Sequence, residues 1–383
     1  MKEQGKLFGI DFVRASAVFL VIIMHYNMVR IAANPADLTL IRPSSIAGVQ
    51  VGTIGVSLFF IISAVGLTMS FARQNSKQGI SISLKRYAKR RFMSIFPAFW
   101  ICYLMVAIFQ YVVYSDSWLH TLTQIPKWKF VYTLFGLDGT LSISGDINFY
   151  LIGEWFLGVL ILFYLIFPFL YAVIKKCPIL MVILLFILFA WRATIYGGNI
   201  IPQGGSNDSL IFRVVCIAIY ELPSFSFGIY FGLFWNKFST RLCTTKVKIT
   251  LESILALISV VLLVIFVMTG ILTPHYAKIV ILGVLIFFIL FYLGQQLQKF
   301  TVIRKISLFI GDRSYYVFLV HHIIIAYLTT RNPAFFNYSK IQNYLYFIFT
   351  VVVIFIISSI AEVIVKNVMQ ICKKMISFQH TSP

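Results

Sequence analysis

Long apolar runs recur along the chain with only short polar breaks between them, and they are too long for the helices or strands of a water-soluble core. A helix crossing a hydrocarbon layer of ~30 Å needs about 20 apolar residues. Windows of that length predict spans near residues 8–31, 49–72, 92–114, 147–174, 178–196, 210–235, 249–270, 276–297, 307–328 and 343–371. The fold class that follows is an all-α membrane protein, a bundle of about ten transmembrane helices. No internal repeat or low-complexity segment interrupts the pattern, so residues 1–383 read as a single integral membrane domain with no separate soluble domain.

Composition agrees with the pattern. Hydrophobic residues make up 60% of the 383 positions and charged residues 11%, with a mean hydropathy of +0.91, too few polar groups to cover a water-facing surface. A formal charge of +20 would point to nucleic acid in a soluble protein, but here the cations sit in the breaks between spans. No nucleic-acid partner is expected, and the charge reports topology instead. With the N-terminus inside, the cytoplasmic segments hold 21 Lys and Arg against six in the outer loops, which places both termini in the cytoplasm. Lys2 and Lys6 ahead of an apolar stretch resemble the start of a signal peptide, but Asp11, Arg14 and His25 interrupt that stretch, and it reads as a retained first span. The five cysteines are scattered without a CxxC or Cys/His cluster, so no disulfide and no metal site are expected.

Ionisable groups inside a bilayer are costly unless they face a partner or a wet cavity, which makes them functional candidates. The first span reads GIDFVRASAVFLVIIMHYNMVR, with Arg14 and His25 eleven positions apart. At 100° per residue they return to within about 20° of the same helix face, with the imidazole about 16 Å further out than the cation. Asp11 lies near that stripe and forms an i, i+3 pair with Arg14. By span position, His25, Glu154 and His321 lie about six, seven and eight residues from their outer ends, at one level where an imidazole and a carboxylate suit a base and its orienting partner. Arg14 and Arg313 share an inner level just above Lys85, Arg86, Lys89, Arg90 and Arg91. That run touches anionic lipid and sets orientation. Its density also suits the phosphates of a nucleotide-bearing donor, because guanidinium forks match phosphate oxygens.

These residues together resemble the integral membrane acyltransferase type 3 family, which includes bacterial O-acetyltransferases of surface polysaccharides. Asp11, Arg14 and His25 stand at the spacing of the family's opening helix. GVSLFFIISA from Gly55 is similar to its second motif, with Ser57 where Asp is common and Ala64 where Gly is usual. KRRFMSIFPAFW resembles the arginine-rich entry to the third span, with Ser94 replacing a usual further Arg. EWFLGVLILFYLIFP from Glu154 and GDRSYYVFLVHH from Gly311 resemble two later motifs, the second bringing Ser314 and Tyr315 into the supporting set.

The resemblance implies a multi-pass protein of the bacterial plasma membrane that transfers an acetyl-type group from acyl-coenzyme A, most simply acetyl-CoA, to a hydroxyl of an extracytoplasmic or lipid-linked sugar. No permanently bound cofactor is expected; acetyl-CoA is a substrate. Catalytic roles fall to His25, Glu154 and His321, and donor-binding roles to Arg14, Arg90, Arg91 and Arg313. Two readings stand for His25: general base, or nucleophile passing through an acyl-imidazole. Some relatives carry an extra extracytoplasmic domain that receives the acyl group. Its lack here implies direct transfer to a sugar or polysaccharide acceptor, or hand-over to a separate acyl-accepting protein.

The rival class is a transporter or flippase for lipid-linked sugars, which also needs polar groups in a wet cavity, but it predicts inverted repeats or paired broken helices that the chain lacks. A membrane sensor with a lipid-binding basic loop leaves the outer histidines and Glu154 unexplained. The charge asymmetry makes a direct prediction. A cysteine introduced at Ser76 should resist an impermeant thiol reagent added outside intact cells and react after permeabilisation; labelling in intact cells would reverse the assigned orientation.

Overall fold

A computed structural model describes residues 7–34, 37, 39–78, 80–196, 209–241, 245–269 and 275–379. Its helices are α1 (Phe8–Ala33), α2 (Val51–Gln78), α3 (Ile80–Thr123), the short α4 (Phe130–Leu134) and α5 (Asp138–Ile143), α6 (Glu154–Lys176), α7 (Pro178–Tyr196), α8 (Leu210–Arg241), α9 (Thr245–Thr269), α10 (His275–Leu297), α11 (Thr301–Thr330) and α12 (Lys340–Gln379). Each predicted span coincides with one of the long helices. Among the described residues eight helices, α1, α2, α3, α6, α8, α9, α10 and α12, are long and apolar enough to cross a membrane. In hydrocarbon a backbone must satisfy its own N–H and C=O groups, and the helix does so within one segment.

Two boundaries differ from the apolar windows for identifiable reasons. The third helix runs from Ile80 to Thr123 rather than from 92 to 114, since the charges at 85–91 end an apolar window without breaking the hydrogen-bond ladder. Lys85, Arg86, Lys89 and Arg90 are consequently exposed cations on a helix, and not members of a loop. The fourth span begins at Glu154 rather than 147. The preceding residues are apolar but not helical, and the chain enters α6 through Gly153 at φ +95° and Glu154 at φ +32°. The first is a conformation that glycine adopts without penalty; the second is strained for a residue with a side chain.

The chain divides into two compact units. The first comprises residues 1–85 and 159–312, the second 86–158 and 313–383. In the first unit α2 packs most extensively, against α8 and α1 and also against α10, while α9 lies on α10 and α7 on α8. Its core joins Leu58, Ile61 and Val65 of α2 to Phe231 and Trp235 of α8 and Phe287 of α10. Ring stacking extends that core, with the Phe231 and Trp235 centroids 5.4 Å apart. The approach of α8 to α2 is set by absent side chains. A Cβ on Gly228 would stand 2.3 Å from the Ile61 carbonyl oxygen, and one on Gly283 would stand 2.3 Å from Ser57 Oγ. Ser57 Oγ is itself hydrogen-bonded to Ser224 Oγ at 2.8 Å, so the residue that departs from the family motif serves as a buried polar link between α2 and α8. Close backbone approach through small residues, with polar links across it, is how helices associate where no water drives them together.

The outward faces are as apolar as the core: Met268 of α9 is 80% exposed and Ile341 of α12 75%. Such surfaces are liabilities in water and ordinary against lipid.

In the second unit the helices are joined by side-chain hydrogen bonds to backbone. Tyr315 Oη of α11 donates to Ile95 O of α3 at 3.2 Å, Trp100 Nε1 to Leu134 O at 3.1 Å and Tyr103 Oη to Phe149 O at 2.7 Å. The glycine contacts of the first unit predict a contrast. Gly228→Val should lower the melting stability of the purified protein by about 1–3 kcal/mol, as overpacking against backbone does. Gly66→Ala, whose Cβ meets nothing within 4 Å, should stay within about 0.5 kcal/mol of wild type in the same thermal assay.

Candidate functional site

In the first unit, α1 carries Asp11, Arg14 and His25. Asp11 is buried and accepts a hydrogen bond from Arg14 Nη1 at 3.4 Å, the i, i+3 pair that their spacing predicts. The Arg14 side chain keeps 30% exposure, so the pair neutralises the carboxylate while the guanidinium still has an accessible side. His25 is half-buried, with Nδ1 3.0 Å from Val21 O, one turn earlier. When Nδ1 carries the proton and donates it to that carbonyl, Nε2 holds the basic lone pair. Helical geometry alone supplies this orientation, since a histidine at i reaches the carbonyl at i−4.

The C-terminal end of α1 is held by polar contacts that sequence reasoning missed. Asn27, two residues after His25, is buried and makes two hydrogen bonds of 2.9 Å with Ile41, donating to its carbonyl and accepting from its N–H. Arg30 Nε reaches Asp37 Oδ2 at 2.5 Å, and Asp37 also accepts from the Thr39 N–H and hydroxyl at 2.7 Å each. Burial raises the Asp37 carboxyl, but the hydrogen bonds from Thr39 and Arg30 outweigh it and leave the group below its usual range. Asp37 and Ile41 are thus tied to α1 within two turns of the imidazole. An Asn or Arg near the end of an apolar span was the available signal.

The second unit holds the remaining candidates. Glu154 stands at the first turn of α6, and its Oε1 lies 3.6 Å from Nδ1 of His322 on α11. The imidazole facing this carboxylate therefore belongs to His322, which is 55% exposed, and not to its neighbour His321. His321 is fully buried, with Nδ1 3.0 Å from both Val317 O and Phe318 O. Successive helical residues diverge by 100°, so the two members of the His-His doublet point to different surroundings. Depth along a span, on which the sequence reading relied, does not distinguish them.

Glu154 is fixed by the segment before it. A Cβ on Gly139 of α5 would stand 2.4 Å from the Glu154 carbonyl carbon and oxygen, and Thr140 Oγ1 donates to Trp155 O at 2.6 Å. The short α5 is clamped onto the first turn of α6, which sustains the positive φ of Glu154. Tyr150 lies beside it: burial, then the adjacent Glu154 charge, pushes its phenol upward. Asp138, the first residue of α5, is 1% exposed. Burial pushes its pKa up to about 6, with the Asp146 charge adding to the effect and the neighbouring Thr133 hydroxyl opposing it.

At the other end of α11, Arg313 Nη2 pairs with Glu362 Oε2 at 3.0 Å, and its Nε donates to Ser359 Oγ at 2.9 Å. Glu362 also accepts from Lys366 at 2.6 Å. Arg313 is thus engaged by α12, through an acidic residue absent from the sequence-derived set. Arg90 is exposed and Arg91 half-buried on α3, while Ser314 and Tyr315 are half-buried on α11. Among the described residues no cluster of His, Cys, Asp and Glu could hold a metal ion.

Residues 7–363 match the model of a family described as an acyltransferase domain. Proteins named "Putative O-acetyltransferase" in Staphylococcus aureus strains COL, MSSA476 and MRSA252 are each 24% identical to the chain over 373 residues. These alignments cover 91% of this chain and 54% of each relative, so the chain spans about half the length of the curated relatives it matches. No solved structure matches.

The burial of Asp138 sets a pH dependence. Its folded pKa of about 6 lies above the ordinary 3.8, so the folded state binds the extra proton between those values. Stability therefore falls as pH rises through that window, and the loss is complete above about pH 6. Asp138→Asn should abolish this contribution and melt higher than wild type at pH 7.5, by on the order of 2 kcal/mol. The difference between the two proteins should vanish near pH 4, as read by thermal melting of both across that range.

Proposed function

Because this chain belongs to the acyltransferase domain family, we propose that it is a membrane O-acyltransferase that moves an acetyl-type group from cytoplasmic acyl-coenzyme A to a hydroxyl of an extracytoplasmic or lipid-linked sugar. The observation that carries this reading is the conjunction of the family match with α1, where Arg14 and His25 share one face of a membrane-crossing helix. The name of the Staphylococcus aureus relatives supports the choice of acetyl and of oxygen as acceptor atom. The proposed topology has ten spans in the bacterial plasma membrane, with both termini and the cationic start of α3 in the cytoplasm.

In the proposed reaction, Arg14, Arg90 and Arg91 take the phosphates of the donor, with Arg313 contributing from its pair with Glu362. His25 accepts the proton of the attacking sugar hydroxyl through Nε2. A new C–O bond forms at the thioester carbonyl, the C–S bond breaks, and the proton passes to the departing coenzyme A thiolate. An acyl-His25 intermediate divides the same transfer into two displacements with the same products. Glu154 and His322 form a second carboxylate–imidazole pair, suited to orienting the acceptor hydroxyl. His321 and Tyr315 act by position, and Asp11 holds Arg14. The acceptor is a sugar or polysaccharide, reached directly or through a separate acyl-accepting protein.

His25→Ala should abolish glycan acylation, normalised to protein in the membrane, while leaving acyl-coenzyme A binding within about twofold of wild type, because the donor's charged contacts lie elsewhere. Arg90→Ala should weaken that binding by about tenfold, the scale of one charge-assisted contact. Near-normal acylation by a folded His25→Ala protein would exclude the catalytic assignment. Unchanged donor affinity in both Arg14→Ala and Arg90→Ala would exclude the phosphate-binding one.

A further inference from the structure

The second unit contains a cavity of about 300 Å³ between α3, α11 and α12, and its lining is almost wholly apolar. Cys102, Val106 and Phe109 face it from α3, Ile324 and Tyr327 from α11, and Val353 from α12. An apolar cavity of roughly 150 Å³ already stays dry and takes a benzene ring. This one has about twice that volume, and two of its three walls, α3 and α12, are helices long and apolar enough to cross a membrane. Hydrocarbon is therefore the medium available to fill it.

One end of the cavity is chemically distinct. Tyr327 lines it, stacked edge-to-face on Phe109 at 5.1 Å, and Arg331 follows one helical turn later. The Arg331 guanidinium carbon lies 5.9 Å from the Tyr327 ring and 5.8 Å from that of Tyr114. Arg331 is exposed, and among the described residues no carboxylate lies within ion-pair distance of it. An aromatic-held guanidinium at the rim of an apolar slot matches an amphiphile with an anionic head and a hydrocarbon tail.

We propose that this groove holds the lipid anchor of the acceptor: a segment of hydrocarbon tail lies between α3, α11 and α12, and its phosphate meets Arg331. The inference rests on the acyl-transfer reading for the word acceptor, and it selects the lipid-linked form of the sugar over a free polymer. It also accounts for the position of Glu154 and His322, which lie on the same unit as the groove, His322 on the helix that forms one wall of it.

The test uses the full chain in lipid nanodiscs with two photoactivatable probes, a dodecyl phosphate and a dodecanol, each carrying a mid-chain diazirine. Labelled residues are mapped by mass spectrometry. The phosphate probe should label the groove residues of α3, α11 and α12, and Arg331→Gln should cut that labelling by about tenfold, to the level of the alcohol. Ile324→Trp, which fills the slot, should remove it, and Val353→Phe serves the same purpose if the first variant fails to fold. Equal labelling by both probes would mean ordinary bilayer lipid and overturn the proposal, as would labelling only on the outer faces of the helices. Acetyl transfer by the wild-type protein to a lipid-phosphate-linked oligosaccharide separates the two ideas. Groove labelling that depends on Arg331, without any transfer, would sink the enzymatic reading and leave the lipid-phosphate site standing.

Discussion

Charge in hydrocarbon is the constraint on which the rest of this structure depends. An ion in the middle of a bilayer costs several kcal/mol unless a partner or a wet cavity receives it. Several described groups meet that requirement pairwise and locally: Asp11 with Arg14, Arg313 and Lys366 with Glu362, Glu154 with His322. Each pair does more than neutralise. Arg313 ties α11 to α12, and Glu154 ties the first turn of α6 to α11. Removing one partner of such a pair strands the other, so these links bear on folding as well as on chemistry.

The two units meet the absence of water by different means. The first relies on absent side chains, with Gly228 letting α8 approach the backbone of α2 and Gly283 letting α10 close on Ser57. The second relies on hydroxyls and an indole that cap carbonyls, as Tyr315, Trp100 and Tyr103 do. Packing of the first kind fixes helix axes and tolerates almost no added atom. The apolar groove lies in the second unit.

Much of the fold was legible because hydrophobic length is a direct physical requirement of a bilayer, and each of the predicted spans falls on a helix. The boundaries were less so, since an apolar window registers side-chain transfer energy and is blind to φ. It therefore stopped short of the cationic start of α3 and ran past Gly153. At the site, the pairing of Asp11 with Arg14 followed from helical spacing alone. The partners of Glu154 and Arg313 did not, because they come from other helices, and depth along a span carries no information about rotation. His321 and His322 illustrate the point: adjacent in sequence, one is sealed among carbonyls and the other faces a carboxylate.

The clamp of α5 on α6 has a consequence for how this protein can change over evolutionary time. Gly139 and Gly158 each face backbone or side chain at sub-contact distance, and Thr140 bridges the two helices. A side chain added at Gly139 would push the first turn of α6, and Glu154 with it, away from His322. The stretch around Trp128 and Phe130 is more exposed, although Phe130 keeps an edge-to-face contact with Phe149 at 5.9 Å and Lys129 pairs with Asp146. The segment thus separates into a tightly clamped half and a more exposed half, and the border between them runs through Leu137 and Asp138.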